Sequence, residues 1–288
     1  MFYTLQGDQK TLVSSEENTR LLHWRTSTFW VMLIGYVGYY ICRGNLAAAF
    51  PLLTQEFGYS NTQLGLIASL SEMAYAAGKF INGPLADKIG GRKIFLVGMA
   101  GAIFFNIIFA ISASLTAFII VWCFCRYFLS MGWGGLTKTI GNWYPRERNG
   151  TVMGLISVNF QFGGVVATLF AGFLVAMGVP WQGVFIYPAM VLTLILLWSY
   201  FTSRSSPSDV VPGARPIEGE TSKEQIADYG DEEQPPVSTI MKTLLRLPIY
   251  RQLLVFSFLT TLLRSVFLFW TPKFLFDIGL GASSAILR

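Results

Sequence analysis

Apolar residues in this chain gather in long runs separated by short polar stretches. Seven runs of about twenty residues or more stand out, at 29–50, 63–84, 94–113, 116–137, 151–176, 182–201 and 252–271. A helix of that length covers roughly 30 Å, the thickness of a bilayer's hydrocarbon core. The pattern therefore predicts an all-α polytopic membrane protein with seven spans. Residues 282–288 read as the first turn of an eighth. Two polar intervals frame the runs, 1–28 and 202–250. The second is rich in Ser, Pro and acids, including Asp231-Glu232-Glu233-Gln234-Pro235-Pro236. It reads as a linker between two transmembrane halves, mostly disordered or loosely helical. The expected division is a tail at 1–28, a six-helix domain at 29–201, a linker at 202–250 and the start of a second domain at 251–288. On this reading the chain is an N-terminal fragment of a longer protein.

Composition agrees with the pattern. The chain is 53% apolar and 15% aromatic, its mean hydropathy is +0.50, and only 37 of 288 residues are charged. The placement of positive charge adds an orientation. Fifteen Lys and Arg fall in 1–28, the turns after spans two and four, and 202–251, between spans six and seven. Two fall on the opposite side, Lys273 and Arg288, and four lie inside spans. The positive-inside rule then places the N-terminus and the 202–250 interval in the cytoplasm. The expected location is the cell (inner) membrane, crossed many times. The net charge of +5 is this loop bias, so no nucleic-acid partner is needed to explain it. The first 28 residues are polar and span one is too long for a signal peptide core. Cys42, Cys123 and Cys125 sit within spans without metal-ligand spacing, and the lone His23 lies in the tail. The expectation is a non-enzyme without a metal or cofactor, working as a monomer.

The four positive charges inside spans, with the acid Glu72, carry the candidate chemistry. Arg43 is the only charge in span one and Arg264 the only one in span seven. A guanidinium near mid-bilayer costs on the order of 3 kcal/mol on insertion scales, so it is kept where it faces water or an anion. Arg43 precedes Pro51 by eight residues and Arg264 precedes Pro272 by eight, about 12 Å of helix rise in each case. Matched depth suggests equivalent helices in two repeats with a ligand between them. The alternative is that both arginines pair with buried acids or carbonyls and only hold helices together. Tyr36, Tyr40, Arg43 and Ala47 share one face of span one. In span two, Glu72, Tyr75, Lys79 and Asn82 form a stripe. Lys79 reads as a contact to the anion, with neutralisation of a neighbouring acid as the alternative. Glu72 reads either as a carrier of a coupling proton or as a structural partner of Arg126 in span four. In span five, Ser157, Gln161, Gly164 and Thr168 share a face that reads chiefly as close packing.

After span two comes Gly83-Pro84-Leu85-Ala86-Asp87-Lys88-Ile89-Gly90-Gly91-Arg92-Lys93. It reads as a helix ended by a small residue, a turn capped by an acid, and basic residues at the anionic membrane surface. This resembles the signature loop of the major facilitator superfamily, Gly-x-Leu-Ala-Asp-Arg-x-Gly-Arg-Lys, with Gly91 where a basic residue is usual. The resemblance implies that Asp87, with Gly83 and Arg92, acts in switching between conformations.

The stretch Gly35-Tyr36 … Tyr39-Tyr40 … Arg43 … Asn45 … Pro51 is more specific. With Gly78-Lys79-Phe80, Met131-Gly132-Trp133 … Trp143 … Glu147-Arg148, and Leu262-Leu263-Arg264 … Trp270 … Pro272, it resembles the organophosphate:phosphate antiporters, which include glycerol-3-phosphate and hexose-phosphate transporters. The resemblance implies the major facilitator fold, here a complete N-terminal six-helix half plus the first helix of the second. It implies that Arg43 and Arg264 clamp a phosphoryl group from the two halves, with Tyr36, Tyr40, Lys79 and Gln161 lining the site. Planar guanidinium forks suit bidentate bonding to phosphate oxygens. Phe160 stands where some members have histidine, Gly44 replaces the second residue of their Arg-Lys pair, and Arg126 resembles instead the arginine of the superfamily's Arg-x-x-Gln-Gly motif. The implied activity is exchange of an organic phosphate for inorganic phosphate by alternating access. The alternatives are a proton-coupled symporter of another organic anion, using Glu72 and Arg126, and a sugar-phosphate membrane sensor.

Overall fold

The structure, a computed structural model, describes residues 3–5, 13–216 and 237–279. The stretch read as the first turn of an eighth span lies outside these residues. So does 217–236 of the predicted linker. Strand β1 (Tyr3–Leu5) is followed by helices α1 (Ser15–Phe57), α2 (Asn61–Ile89), α3 (Gly91–Ala110), α4 (Leu115–Leu129), α5 (Met131–Trp143), α6 (Arg146–Ala176) and α7 (Gly183–Thr202). Strand β2 (Ala214–Pro216), α8 (Val237–Arg246) and α9 (Pro248–Asp277) complete the order.

α4 and α5 form one span. Ser130 interrupts them, but its N–H still reaches the Arg126 carbonyl at 3.1 Å, so the axis bends without breaking. Among the described residues, five spans are long and apolar enough to cross a membrane by length and composition: α3, α4–α5, α6, α7 and α9. α1 and α2 are also long, and their hydropathy is diluted by the mid-helix polar residues Arg43, Asn45, Glu72 and Lys79.

Helix ends follow local chemistry and differ in two places from the sequence expectation. α1 starts at Ser15, well inside the predicted tail. Ser14 and Glu17 form a reciprocal capping box there, with the Ser14 N–H donating to Glu17 Oε2 at 3.0 Å. The Ser14 backbone and hydroxyl bonds hold the Glu17 carboxyl below its usual pKa. At 43 residues α1 is about 65 Å long, twice a hydrocarbon core. The second difference concerns Gly83, which does not end α2. The helix passes through Pro84 to Ile89 and stops at Gly90, whose φ of +94° suits glycine. Proline there removes one backbone donor, and the surrounding turns continue regardless.

α1 packs along α6 and α7, α2 along α4 and α5, and α3 against α4, α5 and α7. Buried polar pairs tie the helices. Asn45 Nδ2 donates to Asn106 Oδ1 at 2.7 Å, the Tyr39 hydroxyl to the Phe95 carbonyl at 2.6 Å, and Asn82 Nδ2 to Ser130 Oγ at 2.8 Å. α9 rests chiefly on α1. Phe50 stacks on Phe269 at 6.1 Å and meets Trp270 at 5.9 Å, at the end of the bundle near Pro51 and Pro272.

Residues 203–216, expected to be loose linker, pack instead against α1 and α5. Val13, Leu21, Trp143, Val211 and Ala214 form a small separate core. Trp143 Nε1 donates to the Arg204 carbonyl at 3.1 Å, and the Arg204 guanidinium lies 4.0 Å over the Trp24 ring. β1 pairs antiparallel with β2 beside this cluster.

Candidate functional site

Two adjoining cavities open between α1, α2, α6 and α9. The larger, about 890 Å³, is lined by Tyr36, Arg43, Glu72, Tyr75, Lys79, Trp133, Ser157, Gln161 and Arg264 among others. The smaller, about 440 Å³, shares Arg43, Arg264, Leu268 and Phe269, and continues between Ala47, Ala48, Ala167, Ala171 and Phe267. The structure thus brings Arg43 and Arg264 to one place, at the junction between a polar chamber and an apolar one. Tyr36, Lys79 and Gln161 face the polar chamber, and Tyr40 faces the apolar one.

The small residues of α6 explain how this space stays open on one side and closed on the other. Gly163 lies against the Tyr40 ring so closely that a Cβ there would sit 2.7 Å from it, and Ala167 meets Gly44. Asn159 Nδ2 donates to the Leu33 carbonyl at 2.6 Å. The packing face of α6 is therefore Asn159 and Gly163, while Ala167 both meets Gly44 and borders the smaller cavity. The face Ser157, Gln161, Gly164 and Thr168, expected to serve packing, borders the cavities instead. Helical spacing identifies which residues share a face but not which neighbour that face meets.

Tyr75 joins the site, and its ring is the common partner of several cations. The guanidinium carbons of Arg43 and Arg126 lie 4.8 and 4.6 Å from its centroid, and Lys79 Nζ lies at 4.9 Å. Arg43 Nη1 also reaches its hydroxyl at 3.5 Å. The Tyr36 ring meets Tyr40 edge-on at 5.3 Å and Trp133 at 5.6 Å, which fixes the wall next to Arg43. Sequence reading placed Tyr75 on the same stripe as Glu72 and Lys79, but its role as a shared cation platform needs three helices in place. Glu72 and Arg126 form an ion pair between α2 and α4. This pair is the contact that the structural reading of Glu72 expects.

The signature turn lies at the other end of α2. Asp87 does not cap a turn; it projects from the last part of α2 and pairs with Lys138 on α5 at 2.7 Å, both groups being largely exposed. Arg92 reaches across to the end of α7. It donates to the Tyr200 carbonyl at 2.6 Å and to Ser203 Oγ at 2.9 Å, satisfying carbonyl and hydroxyl groups at a helix C-terminus. Gly83 has open space around it.

Comparisons with known proteins agree with this architecture. The Major Facilitator Superfamily family model matches residues 32–287. The chain is 32% identical over 198 residues to a glycerol-3-phosphate transporter of Bacillus subtilis, covering 67% of this chain and 44% of that protein. It is 28% identical over 196 residues to a probable hexose phosphate transport protein of Chlamydia pneumoniae, covering 68% and 42% respectively. The chain thus spans less than half the length of these relatives. Among solved structures, a bacterial homologue of the human lysosomal transporter Spinster, inward-facing and unoccupied, superposes with a TM-score of 0.74. It is 16% identical, over 92% of this chain and 58% of that one.

Proposed function

The chain belongs to the major facilitator superfamily, and on that premise we propose that it is part of a secondary transporter exchanging an organic phosphate for inorganic phosphate by alternating access. The observation that carries this reading is the meeting of Arg43 from α1 and Arg264 from α9 on shared cavity walls, with Lys79 beside them. Three cations around one space fit a phosphoryl anion, and guanidinium forks can bond its oxygens in pairs. The similarity of the chain to a glycerol-3-phosphate transporter and a probable hexose phosphate transport protein supports the same substrate class. No covalent chemistry is involved. The anion draws α1 and α9 together through their arginines, and its departure lets the helices separate, so occupancy biases the conformational equilibrium. Asp87–Lys138 and Arg92–α7 are the contacts that would change as the N-terminal helices rock. In this reading the transporter is monomeric, resides in the cell membrane, and holds its N-terminus and basic loops in the cytoplasm.

Counterflow with the full-length protein in liposomes tests the activity. Loaded inorganic phosphate should exchange with external phosphate, and with a sugar or glycerol phosphate, without a pH gradient. Dependence on an imposed proton gradient would point to symport, and binding without counterflow to a sensor.

A further inference from the structure

Among the described residues, Glu72 is the only acid that lines the two cavities. It is 32% exposed and meets Nη2 of Arg126, which is 1% exposed and lines neither cavity. Arg126 Nε is buried with no hydrogen-bond partner among the described residues. Yet Arg126 stacks on the same Tyr75 ring as Arg43 and Lys79. Three cations from α1, α2 and α4 thus crowd one aromatic ring, with a single carboxylate beside them.

We propose that Glu72 is the resident counter-anion of the site: by holding Arg126 back from the cavity it sets how tightly the transported anion is gripped. The inference rests on the phosphate reading of the cavity and adds what limits its affinity. With Glu72 ionised, its charge and that of Arg126 cancel, and a phosphoryl group is held by Arg43, Lys79 and Arg264. A carrier must bind its ligand and then release it, so a fourth unbalanced cation would trap the anion. With Glu72 neutralised, Arg126 adds its charge beside Tyr75. With Arg126 removed, Glu72 is left facing the site cations and competes with phosphate for them. The two single changes therefore act in opposite directions. A pair that only tied α2 to α4 would give losses in both.

The test measures inorganic phosphate binding and saturating phosphate counterflow for the full-length protein and for Glu72→Gln, Arg126→Met and the double variant. Glu72→Gln should tighten phosphate binding about tenfold and slow exchange at saturation. Arg126→Met should weaken binding about tenfold, and the double variant should return within about threefold of the unaltered protein. Weaker binding in Glu72→Gln overturns the proposal, and this nearly isosteric variant decides the matter even if Arg126→Met fails to fold. Absence of phosphate binding by the unaltered protein is a separate failure, and overturns the phosphate reading itself.

Discussion

A hydrogen atom in place of a side chain at Gly91 lets α3 begin directly against α5. A Cβ there would lie 2.6 Å from the Gly135 carbonyl oxygen and 2.7 Å from the Thr139 nitrogen, both backbone atoms that cannot swing aside. This is a physical reason for glycine where the signature motif usually has a basic residue. Gly91→Ala should cost about 1–3 kcal/mol through overpacking and lower the thermal unfolding temperature in detergent. Gly141→Ala, in a helical position with nothing within 4 Å, should leave that temperature unchanged or raise it, since alanine is the better helix former by about 1 kcal/mol. Equal losses at both positions would contradict the close contact. Other residues divide along similar lines. Arg43 and Arg264 were legible in the sequence because a charge within an apolar run is conspicuous and expensive. The Glu72–Arg126 pair was only one of two readings, because spacing along one helix says nothing about which side chain a neighbouring helix brings. Asp87 was legible as a motif position, but its partner Lys138 was not, since that contact depends on how α5 crosses α2.

At the level of elements, the apolar runs identify the rods, because a buried or lipid-facing helix has to be apolar over its whole length. Their ends were less legible. The Ser14–Glu17 spacing is a recognisable capping box, and it marks the start of α1 some fourteen residues before the apolar run. Polar residues there obscured it, because hydropathy reports contact with lipid and says little about helix continuation into water. Gly83 reads as the end of the helix, but α2 continues through it and through Pro84, whose missing N–H removes one backbone bond. The order of 203–216 was hidden for a different reason. Its composition reads as linker, and its few apolar residues, Val211 and Ala214, are buried only because α1 extends far enough to bring Leu21 and Trp24 beside Trp143.

For the molecule as a whole, the distribution of positive charge and the long α1 define a basic end. Asn61, at the start of α2, and Ser208, in the ordered segment after α7, are both exposed. Single cysteines at these positions in a Cys-free full-length background should label differently with an impermeant reagent applied to intact cells. Asn61→Cys should react from outside and Ser208→Cys should not; equal labelling would contradict the proposed orientation. α9 meets the six-helix bundle through Phe269 and Trp270 against Phe50, and Arg43 and Arg264 share the walls of both cavities. The most direct measurement is phosphate affinity of the full-length protein carrying Arg43→Lys, Arg264→Lys or both. Lysine keeps the charge and loses the fork, and a hydrogen bond to a charged group is worth about 1.5–3 kcal/mol, so each single change should weaken binding about tenfold or more. Because both groups would grip one anion, the double variant should lose less than the two single losses multiplied. Near-normal phosphate binding in either single variant, or fully multiplicative losses in the double, would contradict a single divided phosphate site.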